Sequence, residues 1–205
     1  MNILDKLLDE LADQGWGIAD GLLPPHLSQQ LLHEARERWQ AQLFKSANIG
    51  RSQKKHVNTD IRGDKICWIH DTDTYPASLA FLAWAQEIQH ELNQAFFLGL
   101  RRFECHFARY SSGAGYAKHL DQHQHTQFRK ISMVLYLNPQ WQAGQGGELD
   151  IYSLDSPAQA IQRVAPEMGR LVLFRSDTVP HAVLPCLTER WSVTGWFRND
   201  ANFLV

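Results

Sequence analysis

Short runs with β-strand character dominate the second half of the chain. From about residue 103 onward, β-branched and aromatic residues recur in brief segments that clusters of Gly, Pro, Asn and Ser separate. These runs are RFECHFARY, KISMVLYLN, GELDIY, RLVLFR, AVLP and RWSVTGWFR. Their length and spacing favour an antiparallel sandwich or barrel.

The first half has helical periodicity instead. Apolar residues at i, i+3 and i+4 predict one helix near the start, a second just after LPPH and a third that begins near Pro76. The residues that carry these patterns are Ile3, Leu4, Leu7, Leu8 and Leu11, then Leu27, Leu31, Leu32, Ala35 and Trp39, then Leu79, Leu82, Ile88 and Leu92. Helices followed by strands predict an α+β fold, with the helices packed outside a sheet that curls around a pocket.

A chain of 205 residues is most simply one domain. We therefore expect a single domain over residues 1–205, with mainly helical support in 1–100 and the sheet in 101–205. Residues 45–63 are polar, basic and rich in Ser, Asn and Gly. A connection of that length in a compact domain is usually a functional lid or disordered, so we expect this loop to be mobile.

The net charge and the cysteines limit the binding partners and the cellular compartment that we expect for this chain. A formal net charge of −2 provides no general attraction to nucleic acid or to an anionic membrane, and the one weak basic candidate is RSQKKH at 51–56. The three cysteines are far apart and form no C-x-x-C pair, which favours reduced thiols. The N-terminus lacks the pattern of a signal peptide, and no stretch is apolar for long enough to span a bilayer. We expect a cytoplasmic protein that binds neither nucleic acid nor membrane.

The segment GYAKHLDQHQH at 115–125 contains a candidate metal site. In a strand, His119 and Asp121 would point to the same face about 7 Å apart at the backbone, and His181 after the apolar run RLVLFR is the best third ligand. Two histidines and one carboxylate form the facial triad of non-haem Fe(II) centres, which leaves coordination positions open. Two alternatives are solvated surface histidines and a structural or adventitious zinc site formed by His119, His123 and His125.

The last strand predicts an anion site. With a period of two, Arg190, Ser192, Thr194 and Trp196 share one face of RWSVTGWFR, while Trp191, Val193, Gly195 and Phe197 share the other. A buried arginine needs an anionic partner, and a dicarboxylate such as 2-oxoglutarate can chelate a metal at one end while an arginine holds the other. Tyr136 and Tyr110 offer phenolic hydrogen bonds to the same molecule. The alternative is a surface arginine on an edge strand.

Several motifs together resemble those of the Fe(II)- and 2-oxoglutarate-dependent oxygenases. Within them, the similarity is to the prolyl 4-hydroxylase group, which includes the animal HIF prolyl hydroxylases and bacterial relatives. The most specific motif is TDIRGDKICWI at 59–69. The others are QGWGIADGLL, ARYSSGAGYAKHLD, VLYLNPQW, GGELDIY, GRLVLFRSDTVPHAVLP and RWSVTGWF.

The resemblance implies a double-stranded β-helix (jelly-roll) core and a set of site residues. Iron would be bound by His119, Asp121 and His181. The co-substrate 2-oxoglutarate would be bound by Arg190, Tyr136, Tyr110 and Thr194. A protein substrate would contact Arg62, Asp64, Trp68 and Trp196. His123 and His125 have no counterpart in the family's motif, and their role stays open.

The implied reaction is hydroxylation of a prolyl residue in a protein, with O2 as second co-substrate, succinate and CO2 as products, and ascorbate as a candidate reductant. By analogy with bacterial relatives, a translation factor such as an elongation factor is a candidate target. One alternative is the same chemistry on a small molecule, free amino acid or nucleic-acid base. A non-enzymatic metal-binding or sensor protein that uses His119, His123 and His125 is the other.

Overall fold

The computed structural model describes residues 2–47, 62–122, 127–156 and 158–200. Within them lie the helices α1 (Ile3–Gln14), α2 (Pro25–Gln40) and α3 (Pro76–Phe96). The strands are β1 (Trp16–Asp20), β2 (Lys45–Ser46), β3 (Asp64–Ile69), β4 (Arg102–Tyr110), β5 (Tyr116–His119), β6 (Arg129–Tyr136), β7 (Leu149–Tyr152), β8 (Ala160–Val164), β9 (Arg170–Arg175), β10 (His181–Val183) and β11 (Arg190–Arg198).

Each predicted helix forms where the periodicity places it, and the ends have local causes. The Asn2 side chain accepts from the Asp5 backbone N–H and the Asp5 side chain accepts in return, which caps α1 at its start. Gly15, with φ of 81°, ends it. Both α2 and α3 begin with a proline in the first turn, where the missing N–H costs nothing. No helix within the described residues has the length and apolar character that crossing a membrane requires.

The strands form two antiparallel sheets. The large sheet has the order β1-β9-β6-β11-β4-β3-β2, and the small sheet has the order β5-β10-β7-β8. Strands β1, β2 and β3 come from the first half of the chain, where only helices were predicted, and they complete both edges of the large sheet. Strand β2 falls within the predicted loop 45–63, and residues 48–61 of that loop lie outside the described residues.

The two faces of the large sheet bury different cores. One face packs against the helices, where Leu31, Phe81 and Phe197 belong to one cluster of buried side chains. The other face packs against the small sheet, where Tyr136, Phe174 and Ile151 belong to a second cluster. Helices therefore cover one side of a two-sheet sandwich, in agreement with the predicted α+β fold with a jelly-roll core. The interior between the sheets is where the candidate site lies.

Candidate metal centre and co-substrate pocket

Three predicted ligands converge at one end of the small sheet. His119 is the last residue of β5, Asp121 follows it by two residues, and His181 is the first residue of β10. Their candidate ligand atoms all lie within 4.8 Å of one another. Nε2 of His119 is 3.5 Å from Oδ1 of Asp121, and Nε2 of His181 is 3.8 Å from its Oδ2. Asp121 lies just beyond the strand rather than within it, so the chain's bend, and not strand alternation, turns its carboxylate toward both imidazoles.

Backbone carbonyls fix the orientation of both imidazoles. Nδ1 of His119 lies 2.8 Å from the Ala117 oxygen, and Nδ1 of His181 lies 3.0 Å from the Val179 oxygen. A carbonyl oxygen only accepts, so each Nδ1 carries the proton and donates it. Each Nε2 therefore presents its lone pair toward the shared space, as metal-ligating histidines do.

Hydrogen bonds also orient the carboxylate of Asp121. The Ser132 hydroxyl donates to its Oδ2 over 2.6 Å, and the Ser176 hydroxyl lies 2.8 Å from that of Ser132. Burial acts to raise the pKa of Asp121, but His181, His119 and the Ser132 hydrogen bond outweigh it and lower that pKa. Burial lowers the pKa of His181 to about 4. A carboxylate and a neutral imidazole are the protonation states that bind a metal.

This donor set fits a divalent transition metal with open coordination positions. Two imidazoles and one carboxylate match the donor set of the facial triad of non-haem Fe(II) centres. Structural zinc sites instead use four protein ligands. Within the described residues, His119, Asp121 and His181 form the one such group, and the alternative zinc ligands His123 and His125 lie outside these residues.

Arg190 is a buried cation that lines the same cavity as the triad. It is 4% exposed, and it donates from Nε to the Gly147 oxygen over 2.9 Å and from Nη1 to the Ser192 hydroxyl over 3.2 Å. In the described part of the chain no carboxylate lies within ion-pair distance of it. A buried guanidinium without a counter-charge is costly, so its environment favours an anionic ligand. Thr194, on the same face of β11, also lines the cavity.

Two tyrosines flank Arg190. Its guanidinium carbon lies 5.0 Å from the ring centroid of Tyr110 on β4 and 5.0 Å from that of Tyr136 on β6. Tyr110 lines the cavity. The buried Tyr136 hydroxyl has no hydrogen-bond partner among the described residues. Burial raises the pKa of both phenols, so both stay protonated, but Tyr136, unlike Tyr110, is not among the residues that line the cavity.

The predicted substrate contacts divide into two groups. Arg62, Asp64 and Trp196 line the cavity. Arg62 and Asp64 bind each other through two hydrogen bonds of 2.6 and 2.9 Å. Burial acts to lower the pKa of Arg62, but Asp64 outweighs it and raises that pKa. Trp68 is 38% exposed and is not among the lining residues, although its ring lies 6.4 Å from that of Trp196.

Sequence reasoning missed three polar side chains that line the cavity. His106 is buried on β4, two strand positions before Ala108 and four before Tyr110, so the period-two pattern of RFECHFARY was a signal for it. Tyr116 lies within the motif of the first ligand. Arg129 lies 3.5 Å from the ring centroid of Trp196 and pairs with Glu104, a long-range placement that no local pattern indicates.

A two-sheet sandwich that holds an open His-Asp-His site beside a buried arginine, which has no carboxylate partner among the described residues, is typical of mononuclear metal enzymes with an anionic co-substrate. The chain belongs to the 2OG-Fe(II) oxygenase superfamily, whose family model matches residues 105–198. The family agrees with the predicted Fe(II), 2-oxoglutarate and O2. Ascorbate stays a prediction.

Proteins similar to this chain include prolyl hydroxylases. A prolyl-4-hydroxylase from Pseudomonas putida is 39% identical, with a TM-score of 0.85 over 97% of this chain and 100% of that one. A prolyl hydroxylase from Trichoplax adhaerens, solved with a peptide fragment of the hypoxia inducible factor oxygen degradation domain, is 24% identical, with a TM-score of 0.83 over 96% of this chain and 89% of that one. Human Egl nine homolog 1 is 29% identical over 95% of this chain and 46% of its own length. The chain spans about half the length of the curated relatives it matches.

Proposed function

We propose that this chain hydroxylates a prolyl residue in a protein substrate and consumes 2-oxoglutarate and O2. The observation that carries the proposal is that one cavity holds both the His-Asp-His triad and the unpaired guanidinium of Arg190. A metal at the triad and a dicarboxylate with one end at Arg190 would share this space. The P. putida prolyl-4-hydroxylase, which matches along its whole length, supports proline as the target.

The triad residues would hold Fe(II), and the bound metal would supply O2 activation coupled to oxidative decarboxylation of 2-oxoglutarate, with one oxygen atom retained in succinate and the other inserted into a C–H bond. His119, Asp121 and His181 would supply three ligands to the metal, and co-substrates would take the remaining coordination positions. Ala117, Val179 and Ser132 keep the ligand atoms in their binding orientation through the hydrogen bonds described above.

Arg190 would pair with the distal carboxylate of 2-oxoglutarate. Its Nε and one Nη1 hydrogen are already used by Gly147 and Ser192, so the guanidinium is fixed while other N–H groups stay available. Thr194 and the phenols of Tyr110 and Tyr136 would add hydrogen bonds to the same carboxylate. Such an arrangement orients the co-substrate before the reaction begins.

Arg62, Asp64, Trp68 and Trp196 are proposed to contact the protein substrate. Trp196 lines the cavity and offers an indole N–H that has no partner among the described residues. Trp68 extends the aromatic surface outward from Trp196. An aromatic surface of this kind suits packing against a pyrrolidine ring. The translation-factor target remains part of this proposal and rests on the resemblance to bacterial relatives.

The proposal is tested by incubating the purified chain with Fe(II), 2-oxoglutarate, O2 and an elongation factor. We expect succinate formation that depends on the added protein, and a gain of one oxygen atom on a proline detected by peptide mass spectrometry. Amino-acid analysis then distinguishes 4-hydroxyproline from 3-hydroxyproline. Substrate-dependent succinate with a free amino acid, and with no proline-containing protein or peptide, would contradict the protein-hydroxylase assignment.

A further inference from the structure

The ring of Tyr116 lies flat against the ring of a metal ligand. The centroids of Tyr116 and His119 are 3.6 Å apart, and the planes differ by 17°. In a regular strand, residues three apart point to opposite faces. Here three residue steps on β5 oppose two on β10, since His119 pairs with His181 and Tyr116 with Val183. This bulge brings both side chains to one side, which is a recognised use of bulges beside active sites.

His119 is the least enclosed of the three candidate ligands. Its side chain is 19% exposed, against 6% for His181 and 9% for Asp121. It also ends β5, the edge strand of the small sheet, whereas His181 lies on the neighbouring inner strand and packs against Phe174 at 4.5 Å. The Tyr116 ring gives His119 an aromatic contact, as Phe174 of the large sheet gives one to His181.

A second layer lies on the outer side of Tyr116. The guanidinium carbon of Arg62 is 4.8 Å from the Tyr116 ring centroid, and Asp64 holds that guanidinium through two hydrogen bonds. Arg62 and Tyr116 also form an antiparallel bridge, and the Gly63 N–H donates to the Gly115 oxygen over 2.9 Å. The segment that carries Arg62 thus covers the free edge of β5.

We propose that Tyr116 is a positioning residue for the metal, which holds the His119 imidazole in its ligating orientation, and that the Arg62–Asp64 pair supports the Tyr116 ring. The inference rests on the metal site of the proposed function and is independent of which molecule is hydroxylated. It assigns Arg62 and Asp64 a task beyond the proposed substrate contact. The stack consists of Asp64, Arg62, Tyr116 and His119, in that order. His119, at its inner end, belongs to the candidate metal site.

The test is titration of the metal-free full chain with Co(II), followed by the dissociation constant and the visible absorption bands of the bound ion. Tyr116→Leu removes the ring and is expected to raise the Co(II) dissociation constant about 10–100-fold, as loss of residues that orient a ligand does, and to change the bands. Tyr116→Phe keeps the ring and is expected to match the wild type. Tyr152→Leu is the matched control, because Tyr152 lies on β7 of the same sheet and is not stacked on a ligand.

Wild-type affinity and bands in a folded Tyr116→Leu chain would overturn the proposal. If Tyr116→Leu does not fold, Arg62→Gln provides the test, because this variant removes the cation that packs on Tyr116 and leaves the Tyr116 ring in place. It is expected to weaken Co(II) binding less than loss of the ring, and unchanged binding in this variant overturns the assigned support. Since Co(II) binding needs no turnover, a failure of prolyl hydroxylation would leave these results standing, and the two proposals fail separately.

Discussion

His119 and His181 are paired directly across strands β5 and β10, and their ring centroids lie 4.3 Å apart. Register therefore brings together two residues that are 62 positions apart in the chain. Both rings donate from Nδ1 to a carbonyl two residues earlier, and their Nε2 atoms lie 3.5 and 3.8 Å from the two carboxylate oxygens of Asp121. Strand pairing therefore places the two histidines of the candidate metal site, and the bend after β5 adds Asp121.

Removal of a triad ligand should abolish turnover. We expect His181→Ala or Asp121→Ala to lose succinate formation and most of the affinity for Co(II), because two remaining ligands cannot hold the ion in the required geometry. The control is His33→Ala, which removes an exposed histidine on α2. Full succinate formation by Asp121→Ala would refute the triad.

Replacement of Arg190 should weaken 2-oxoglutarate binding specifically. Arg190→Lys is expected to raise the KM for 2-oxoglutarate by roughly 30-fold or more, since loss of a buried charge-assisted pair costs about 2–5 kcal/mol. Arg198→Lys is the matched control, because Arg198 ends the same strand and pairs with Glu104 and Asp200 instead. Steady-state kinetics with 2-oxoglutarate as the varied component measure both, and equal effects at the two positions would count against the assignment.

Gly147 should be required for the placement of Arg190. Its φ is 78°, and a Cβ there would lie 3.0 Å from Cδ of Arg190 and 3.0 Å from Sγ of Cys186. We expect Gly147→Ala to raise the KM for 2-oxoglutarate and to lower the free energy of unfolding by about 1–3 kcal/mol. Gly144→Ala has a similar backbone strain, with φ of 90°, and no neighbour within 4 Å. A comparable KM change in Gly144→Ala would show that strain, and not crowding of Arg190, is responsible.

The Ser132 hydroxyl should contribute to metal affinity through Asp121. Ser132→Ala removes the donor to Oδ2 and is expected to raise the Co(II) dissociation constant about 10–100-fold, with the fold retained. Ser28→Ala is the control, because Ser28 is equally buried and its hydroxyl has no hydrogen-bond partner within the described residues. Isothermal titration calorimetry compares the two, and identical Co(II) affinity in both variants would remove Ser132 from the site.

The buried imidazole of His106 should make the free energy of unfolding decrease as the pH falls. Burial lowers its pKa from 6.5 to about 4, so the unfolded chain binds a proton that the folded chain excludes between these values. The free energy of unfolding is then expected to fall from about pH 6.5 toward pH 4, by on the order of 3 kcal/mol from this group. Urea denaturation across this pH range should show that the free energy of unfolding declines less steeply in His106→Leu than in the wild type. A decline of the same steepness in both proteins would exclude His106 as a source.

The sequence predicts the central strands well because their environment is simple. For β11, alternation assigns Arg190, Thr194 and Trp196 to the cavity and Trp191 to the helix-facing core, and the structure has them there. A strand in the middle of a two-sided sheet has one polar site face and one apolar face, so its pattern is unambiguous.

The parts that were not predicted depend on tertiary contacts. Strands β5 and β8 are short edge strands with exposed residues, so neither has the apolar run that marks a buried strand. The bulge in β5 breaks the period of two at the first metal ligand. Ser132 and Arg129 act through partners 11 and 25 positions away, Asp121 and Glu104, and no local pattern reports such pairings.

The carboxylate of Asp121 is tied through Ser132 to the large sheet, while both histidines belong to the small one. An ion bound by all three residues would cross-link the two sheets at this end of the sandwich, where side-chain packing otherwise holds them together. Chelators should then do more than stop turnover. Removal of the ion should increase local opening of the backbone around the triad, so that amide hydrogens there exchange faster. Amides on the helix-covered face of the large sheet should keep their protection.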